Sequence, residues 1–382
     1  MDLVAFRTDS PAPEVRGREI GLRFGAEIAR SAQLYRDLYR DRGIAEATVD
    51  RVIRGCQEAL AEWDPEQFAE LEAMADAAAE AVGSSSAAAG QEAGSAPGDS
   101  LGRGAPLDGV MAVTARTEIL ATLGREAPGE CSTAVVLPPG NAAPWTLQTW
   151  DWYAELVPQG LVLEYTSGAG RGVRTFTEFG APAKIGVNDA GLGVHFNILH
   201  HDSDHDGGGV PVHAVARRVL DRASTVAEAV EIARSARVSA STVLTVVTRE
   251  PDAVSIELCP EGVGAVRSWT GGTVPGTRVL LHTNHFLAPE LADGDRATAK
   301  LTAERYAHLR ERSHGLDVPS SSAGLARALC GPDGEGAPIC MRPVPGGAPE
   351  EQGETLLTVS LDVEQATMDC LAGSPMEYAQ AR

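Results

Sequence analysis

Two stacked, mainly antiparallel β-sheets covered by helices, an α+β architecture, are predicted for this 382-residue chain by three features of its sequence. Apolar residues recur at helical spacing through the first eighty residues, strand-like runs dominate after residue 131, and paired helices interrupt those runs instead of alternating with them. A chain of this length buries a large apolar core without disulfide staples.

Taken in order, Ile20, Phe24, Ile28, Leu34 and Leu38 mark one face of a first helix. A second begins at Asp64, which caps it, with Pro65 at the first helical position, Gln67 placed for a capping box, and Phe68, Leu71 and Met74 as its inward stripe. The stretch GSSSAAAGQEAGSAPGDSLGRGAP that follows has too few large apolar residues to fold alone, so residues 83–107 are expected to be a flexible linker. Strands are predicted at 133–137, 146–152, 161–165, 174–178, 191–197, 242–248, 253–258, 278–282 and 355–362. Two helices separate the fifth and sixth of these, one over 212–223 and one opened by the capping box Thr225 with Glu228. The chain divides accordingly into a helix-rich part, residues 1–130, and a strand-rich part, residues 131–382.

Charge excludes whole classes of function. With Lys+Arg 32 against Asp+Glu 53 the net charge is -21, and such a surface repels nucleic acid and anionic lipid. No apolar run approaches membrane-spanning length and the N-terminus carries an acid at position 2, so a cytoplasmic location without membrane partners is expected. Six cysteines are scattered without a CxxC pair, which suggests neither a disulfide framework nor a zinc site. Any cysteine that does chemistry must be identified by its surroundings.

Cys131 has such surroundings. The turn signal Pro138-Pro139-Gly140-Asn141 folds the chain back on itself, and a hairpin symmetric about Asn141 sets Cys131 opposite Asp151, between Trp150 and Trp152. A slip of one residue would turn Asp151 to the other face. No histidine follows within sixty residues to act as the thiol's base. Scission of the Glu130-Cys131 bond would supply one, because the new α-amine has a reference pKa near ~8 and sits on the same residue as the sulfur. Asp151 would orient that amine, and Trp150 and Trp152 either line a pocket or belong to the core.

The residues Gly129-Glu130-Cys131-Ser132-Thr133 and Trp150-Asp151-Trp152 resemble the processing site and downstream element of the acyl-CoA:isopenicillin N acyltransferase-like (penicillin acyltransferase) family. Similar landmarks follow in order: Arg116-Thr117-Glu118, Gly186-Val187-Asn188-Asp189-Ala190-Gly191-Leu192, Gly209-Val210-Pro211-Val212-His213, His282-Thr283-Asn284-His285-Phe286 and Thr358-Val359-Ser360-Leu361-Asp362. The resemblance implies a four-layer αββα N-terminal-nucleophile sandwich. It also implies a precursor cut into a smaller α chain and a larger β chain that stay associated, and acyl transfer through a Cys131 thioester from a small-molecule acyl donor to an amine or water. No cofactor is implied, acyl-CoA being a candidate co-substrate.

The chain departs from the family pattern in four places, one of them the segment ahead of Cys330-Gly331, where relatives tend to carry Asp-His. Glu130 stands where the family has glycine, Thr149 where it has asparagine, and Ser239-Ala240-Ser241-Thr242 replaces the strand whose asparagine donates to the oxyanion. Thr242 and Asn188 are the substitutes considered for that donor, worth roughly 2.7–4 kcal/mol of barrier. A second reading follows from the same departures: an impaired family member serving as a binding or scaffold protein. The run His200-His201-Asp202-Ser203-Asp204-His205-Asp206 invites a metal-hydrolase reading, but the three glycines after it suggest a mobile solvated loop, and no metal is expected.

Overall fold

The computed structural model of the chain describes residues 1–88, 106–123, 131–140, 142–297, 299–347 and 352–382. Eight strands form one sheet in the order β1 (Asp2–Thr8), β4 (Gln159–Thr166), β5 (Gly172–Thr177), β6 (Ile185–Asn188), β7 (Leu192–Ile198), β8 (Thr242–Thr248), β9 (Asp252–Cys259) and β10 (Gly262–Val266). Six form the second: β11 (Trp269–Gly271), β12 (Arg278–His282), β2 (Cys131–Leu137), β3 (Trp145–Trp152), β13 (Glu354–Asp362) and β14 (Thr367–Ala372). Neighbours are antiparallel throughout, apart from β1, which joins β4 in parallel.

Helices α6 (Val212–Arg222) and α7 (Val226–Ser235) cover the first sheet. The second is covered by α8 (Ala299–His314), α9 (Ser322–Cys330) and α10 (Pro375–Ala381), which completes a helix–sheet–sheet–helix sandwich. The strand β2 shows why the chain folds into these layers. Val135 and Leu137 point into the core between the sheets, while Ala134 and Val136 pack outward against Leu309, Leu325 and Leu329 of the helical layer. A strand covered on both faces needs no polar alternation, which is what the run CSTAVVL encodes.

Residues before 131 are bound into the same core. Helices α1 (Pro13–Asp41), α2 (Glu46–Trp63), α3 (Pro65–Ala88), α4 (Pro106–Thr114) and α5 (Arg116–Ala121) pack together beside the sandwich. Gly17 and Gly21 let α1 approach α3 backbone to backbone, since a Cβ on either would lie 2.1 Å from the Glu70 carbonyl or 2.3 Å from that of Met74. Glu70 is buried between Arg16 and Arg217. Burial alone would raise its carboxyl, but Arg217 and Arg16 outweigh it and hold the group below its usual range. Breaking such a buried set by removing one partner is costly, so α1, α3 and α6 are held in one arrangement. No helix among the described residues is long and apolar enough to cross a membrane.

Several elements differ from the sequence expectation. Strand β1 is absent from the predicted set because its partner, β4, lies far along the chain. The proposed linker is partly helical: α3 runs on to Ala88 and α4 starts at Pro106, while residues 89–105 lie outside the described residues. The predicted caps at Asp64 and Thr225 form, but the capping box expected at Gln67 does not, its side-chain amide donating instead to the Ala214 carbonyl at 3.3 Å. Asp64 accepts from the Gln67 N–H at 3.2 Å, and Thr225 and Glu228 form a reciprocal capping box.

Candidate active site

Cys131 opens β2 on the face between the sheets, 1 % exposed. The ladder pairs it with Trp150 and not with Asp151, a correction of the predicted register. The last pair before the turn is Val136 with Trp145, so the eight residues 137–144 connect the strands and the centre falls between two residues instead of on Asn141, which lies outside the described residues. Side-chain alternation then places Trp150 on the face of Cys131 and Asp151 on the opposite one. Asp151 stays close in another way: its backbone N–H hydrogen-bonds the Cys131 sulfur, and its carboxylate accepts from Thr355 Oγ1 at 2.6 Å.

The backbone of Cys131 sits in a cradle of buried polar side chains drawn from distant elements. Its N–H donates to Asn284 Oδ1 at 2.8 Å. Its carbonyl accepts from Arg305 Nη1 at 2.7 Å and from Asn197 Nδ2 at 3.2 Å. Arg305 also donates to Asn284 Oδ1 at 2.9 Å and to Ser132 Oγ at 3.0 Å, while Asn284 Nδ2 is anchored on the Ile198 carbonyl at 2.8 Å. Thr133 Oγ1 donates to Asn197 Oδ1 at 2.8 Å. Strand β7, helix α8 and the turn after β12 are thereby locked around one residue, and locked rotamers are what a reacting constellation requires.

Burial pushes the Cys131 thiol up to about 11, with the Asp151 charge adding to the rise while Lys184, the Asp151 N–H and Arg305 counter it. In the uncut chain the sulfur is a neutral thiol at pH 7. A nucleophilic thiolate therefore needs a proton acceptor nearby.

The sequence candidates divide. Trp150 and Trp152 are fully buried: Trp150 packs on Phe176 with ring centroids 5.3 Å apart, and the Trp152 indole N–H donates to the Tyr35 hydroxyl at 3.1 Å. Asn188 lies elsewhere. Its amide donates to the Leu220 and Ala223 carbonyls at the end of α6, and its oxygen accepts from the Leu192 N–H across the turn closed by Gly191 at φ 83. No donor is left for an oxyanion. Thr242 Oγ1 donates to the Asn197 carbonyl at 2.8 Å, one residue removed from the cradle. Glu130 lies outside the described residues. We expect Asn188→Ala to cost roughly 3 kcal/mol of stability, three backbone partners being stranded, while the rate of any Cys131 chemistry changes less than about twofold; urea unfolding and an activity assay on the same preparation check both.

Sequence reasoning passed over Asn197, Arg305 and Lys184, and set Asn284 aside as a satisfied polar group. Asn284 lay within a quoted motif and Asn197 only at the end of a predicted strand, whereas Arg305 had no local signal, since only the packing of α8 on β2 brings it to Cys131. The other landmarks act as struts. Arg116 pairs with Glu178 at 2.6 Å and donates to His213, and Glu118 accepts from the Val212 N–H at 2.8 Å, at the start of α6. The 200–206 loop is pinned, contrary to expectation: His201 is buried against the Leu291 carbonyl, Asp204 accepts from Ser241, and Asp202 and Asp206 pair with Arg296 and Arg51. Among the described residues no group of three His, Cys, Asp or Glu side chains converges to hold a metal ion.

A family model described as acyl-coenzyme A:6-aminopenicillanic acid acyl-transferase matches residues 138–377, so that Cys131 lies just before the matched segment. No curated protein matches the sequence. Among solved structures, a Caenorhabditis elegans ortholog of N-acylethanolamine-hydrolyzing acid amidase is similar at 12% identity and TM-score 0.42, covering 63% of this chain and 99% of its own. Penicillin V acylase from Agrobacterium tumefaciens follows at 16% identity and TM-score 0.35, covering 63% and 82%. A mutant of conjugated bile acid hydrolase from Clostridium perfringens is similar at 14% identity and TM-score 0.38, covering 63% and 89%.

Proposed function

The chain belongs to the acyl-coenzyme A:6-aminopenicillanic acid acyl-transferase family, and from that premise we propose that it cuts itself before Cys131 and then transfers acyl groups through a thioester on that residue. The family makes it an enzyme acting on small-molecule acyl substrates, an acyltransferase or amidohydrolase of the N-terminal-nucleophile type. The identity of the nucleophile rests on one observation: the backbone nitrogen that scission would turn into an amine already donates to Asn284 Oδ1, on the residue that carries the sulfur.

Once the Glu130-Cys131 bond is broken, the freed nitrogen keeps Asn284 as its acceptor, which fixes the direction of its lone pair. The Arg305 guanidinium beside it disfavours the protonated amine, and Asp151 acts in the opposite sense, so that the amine is poised to take the thiol proton near neutral pH. The thiolate attacks the acyl carbonyl, the Cys131 ammonium returns the proton to the leaving group, and an amine or water accepts the acyl group from the thioester. Residues 1–130 remain attached through Glu70 with Arg217, Arg116 with Glu178 and the β1–β4 ladder. Cys131 is buried in the uncut chain, so turnover follows scission. Acyl-CoA is a candidate donor, and the β-lactam amine in the family description makes specialised metabolism the setting we propose.

Trapping the intermediate tests this. Protein mixed with a panel of acyl thioesters and amides, quenched in acid and digested, is expected to carry the acyl mass on the peptide that begins at Cys131, and hydroxylamine is expected to remove it. Acyl label on another residue, during turnover, would refute the assignment.

A further inference from the structure

The scheme above has a base only after the cut. Before it, the nitrogen of Cys131 is an amide without a basic lone pair, and the thiol must lose its proton to something else. Lys184 is placed for this. It precedes β6, is 1 % exposed, and holds its ammonium nitrogen 4.8 Å from the ring centroids of both Trp150 and Phe196. Trp150 is the cross-strand partner of Cys131 on the face between the sheets, and Lys184 and Cys131 act on each other electrostatically. Among the described residues the amine has no hydrogen-bond partner, an arrangement that costs stability.

The charged and titratable groups facing Lys184 are Arg116 from α5, Glu178 after β5, His213 from α6 and Cys131 itself. Burial pushes the amine down to about 7, Arg116 pushes the same way, and Cys131 and Glu178 only partly oppose them. His213 is driven well below its ordinary range by burial, Arg116 and Lys184, and it already accepts from Arg116. At and above neutral pH the neutral lysine amine is thus a free proton acceptor on this face.

We propose that Lys184 is the base of the self-cleavage step, a role that rests on the self-cleavage reading. The Cys131 S–H proton moves to the lysine nitrogen, and the thiolate forms a bond to the Glu130 carbonyl carbon. The bond from that carbon to the Cys131 nitrogen breaks, and the nitrogen takes the proton back from the Lys184 ammonium. A thioester joins Glu130 to the Cys131 sulfur. Water hydrolyses it, leaving the Glu130 carboxylate and a free thiol beside the new amine. In the cut enzyme the same lysine faces the thiolate as a counter-charge.

The full chain, made by cell-free synthesis and followed by intact mass over time at a series of pH values, tests the role. Wild-type scission is expected to speed up through pH about 7 and then level off, as Lys184 loses its proton. Lys184→Met, similar in volume and apolar, is expected to slow scission about a hundredfold, to lose that inflection, and to melt no lower than wild type. Lys184→Arg keeps the cation but cannot become a neutral base, and is expected to stay uncut as well. Wild-type speed in Lys184→Met, recovery in Lys184→Arg, or a flat wild-type pH profile overturns the lysine's role and leaves self-cleavage standing. A wild-type chain that never cuts overturns the self-cleavage reading itself.

Discussion

Cys131→Ala is expected to turn over acyl substrates slower than wild type by on the order of 10⁶-fold, the result of removing the nucleophile of a covalent mechanism. No other thiol can take over. Cys56, Cys259, Cys330 and Cys340 are buried in other parts of the fold, Cys370 is half-buried on β14, and only Cys131 has its backbone held by Asn284, Asn197 and Arg305. The substitution removes a single sulfur from a buried strand start, so the loss of stability stays near ~1 kcal/mol. Activity and stability thus separate: a steady-state assay with any substrate the wild type accepts falls to background while the urea midpoint barely moves. Residual turnover within about tenfold of wild type would mean that the acyl group is carried elsewhere.

Asn284→Leu is expected to have the second largest effect, a fall in kcat of about 10²-fold or more. Leucine fills a similar volume but offers no acceptor to the Cys131 nitrogen, and the amine is then free to turn its lone pair away from the sulfur. Arg305 loses one of its acceptors at the same time, so it grips the Cys131 carbonyl less firmly. An effect on geometry lowers kcat more than it raises KM, since the substrate's own contacts are untouched. Asn284→Asp offers a second check: it keeps the acceptor and adds a negative charge that favours the ammonium, so the acid limb of the pH–rate profile moves upward. Steady-state kinetics of both variants against pH measure this, and an unchanged kcat in Asn284→Leu would remove Asn284 from the site.

The fold was legible wherever local chemistry decides it. Strands β8 and β12 fall on the predicted residues, and the caps at Asp64 and Thr225 are where side-chain pattern alone put them. Strand β1 escaped because its existence depends on a partner more than a hundred residues away, and α10 because its capping box, Ser374 with Glu377, sits in a stretch too short to show a period. At the site, Cys131 and Asp151 could be singled out from the hairpin and the family resemblance, but the register could not. Whether a turn holds an odd or an even number of residues moves the predicted partner by one, and that parity follows from turn geometry, not composition. Arg305 and Lys184 carry no local mark of function. Each is an ordinary basic residue in sequence, and becomes unusual only when folding removes it from water and places it near one sulfur.

The Asn188 result shows the same limit from the other side. A motif rich in turn residues invited an oxyanion role, yet the amide is fully engaged in closing α6 and the β6–β7 turn. Which donors a side chain has left depends on the partners the fold brings to it, not on its motif.

The most direct measurement is the intact mass of freshly purified wild-type protein beside Cys131→Ala. Self-cleavage predicts two species for the wild type, residues 1–130 and residues 131–382, eluting together under native conditions, and one full-length species for the variant. A wild-type protein that remains a single 382-residue chain while turning over acyl substrate would contradict it.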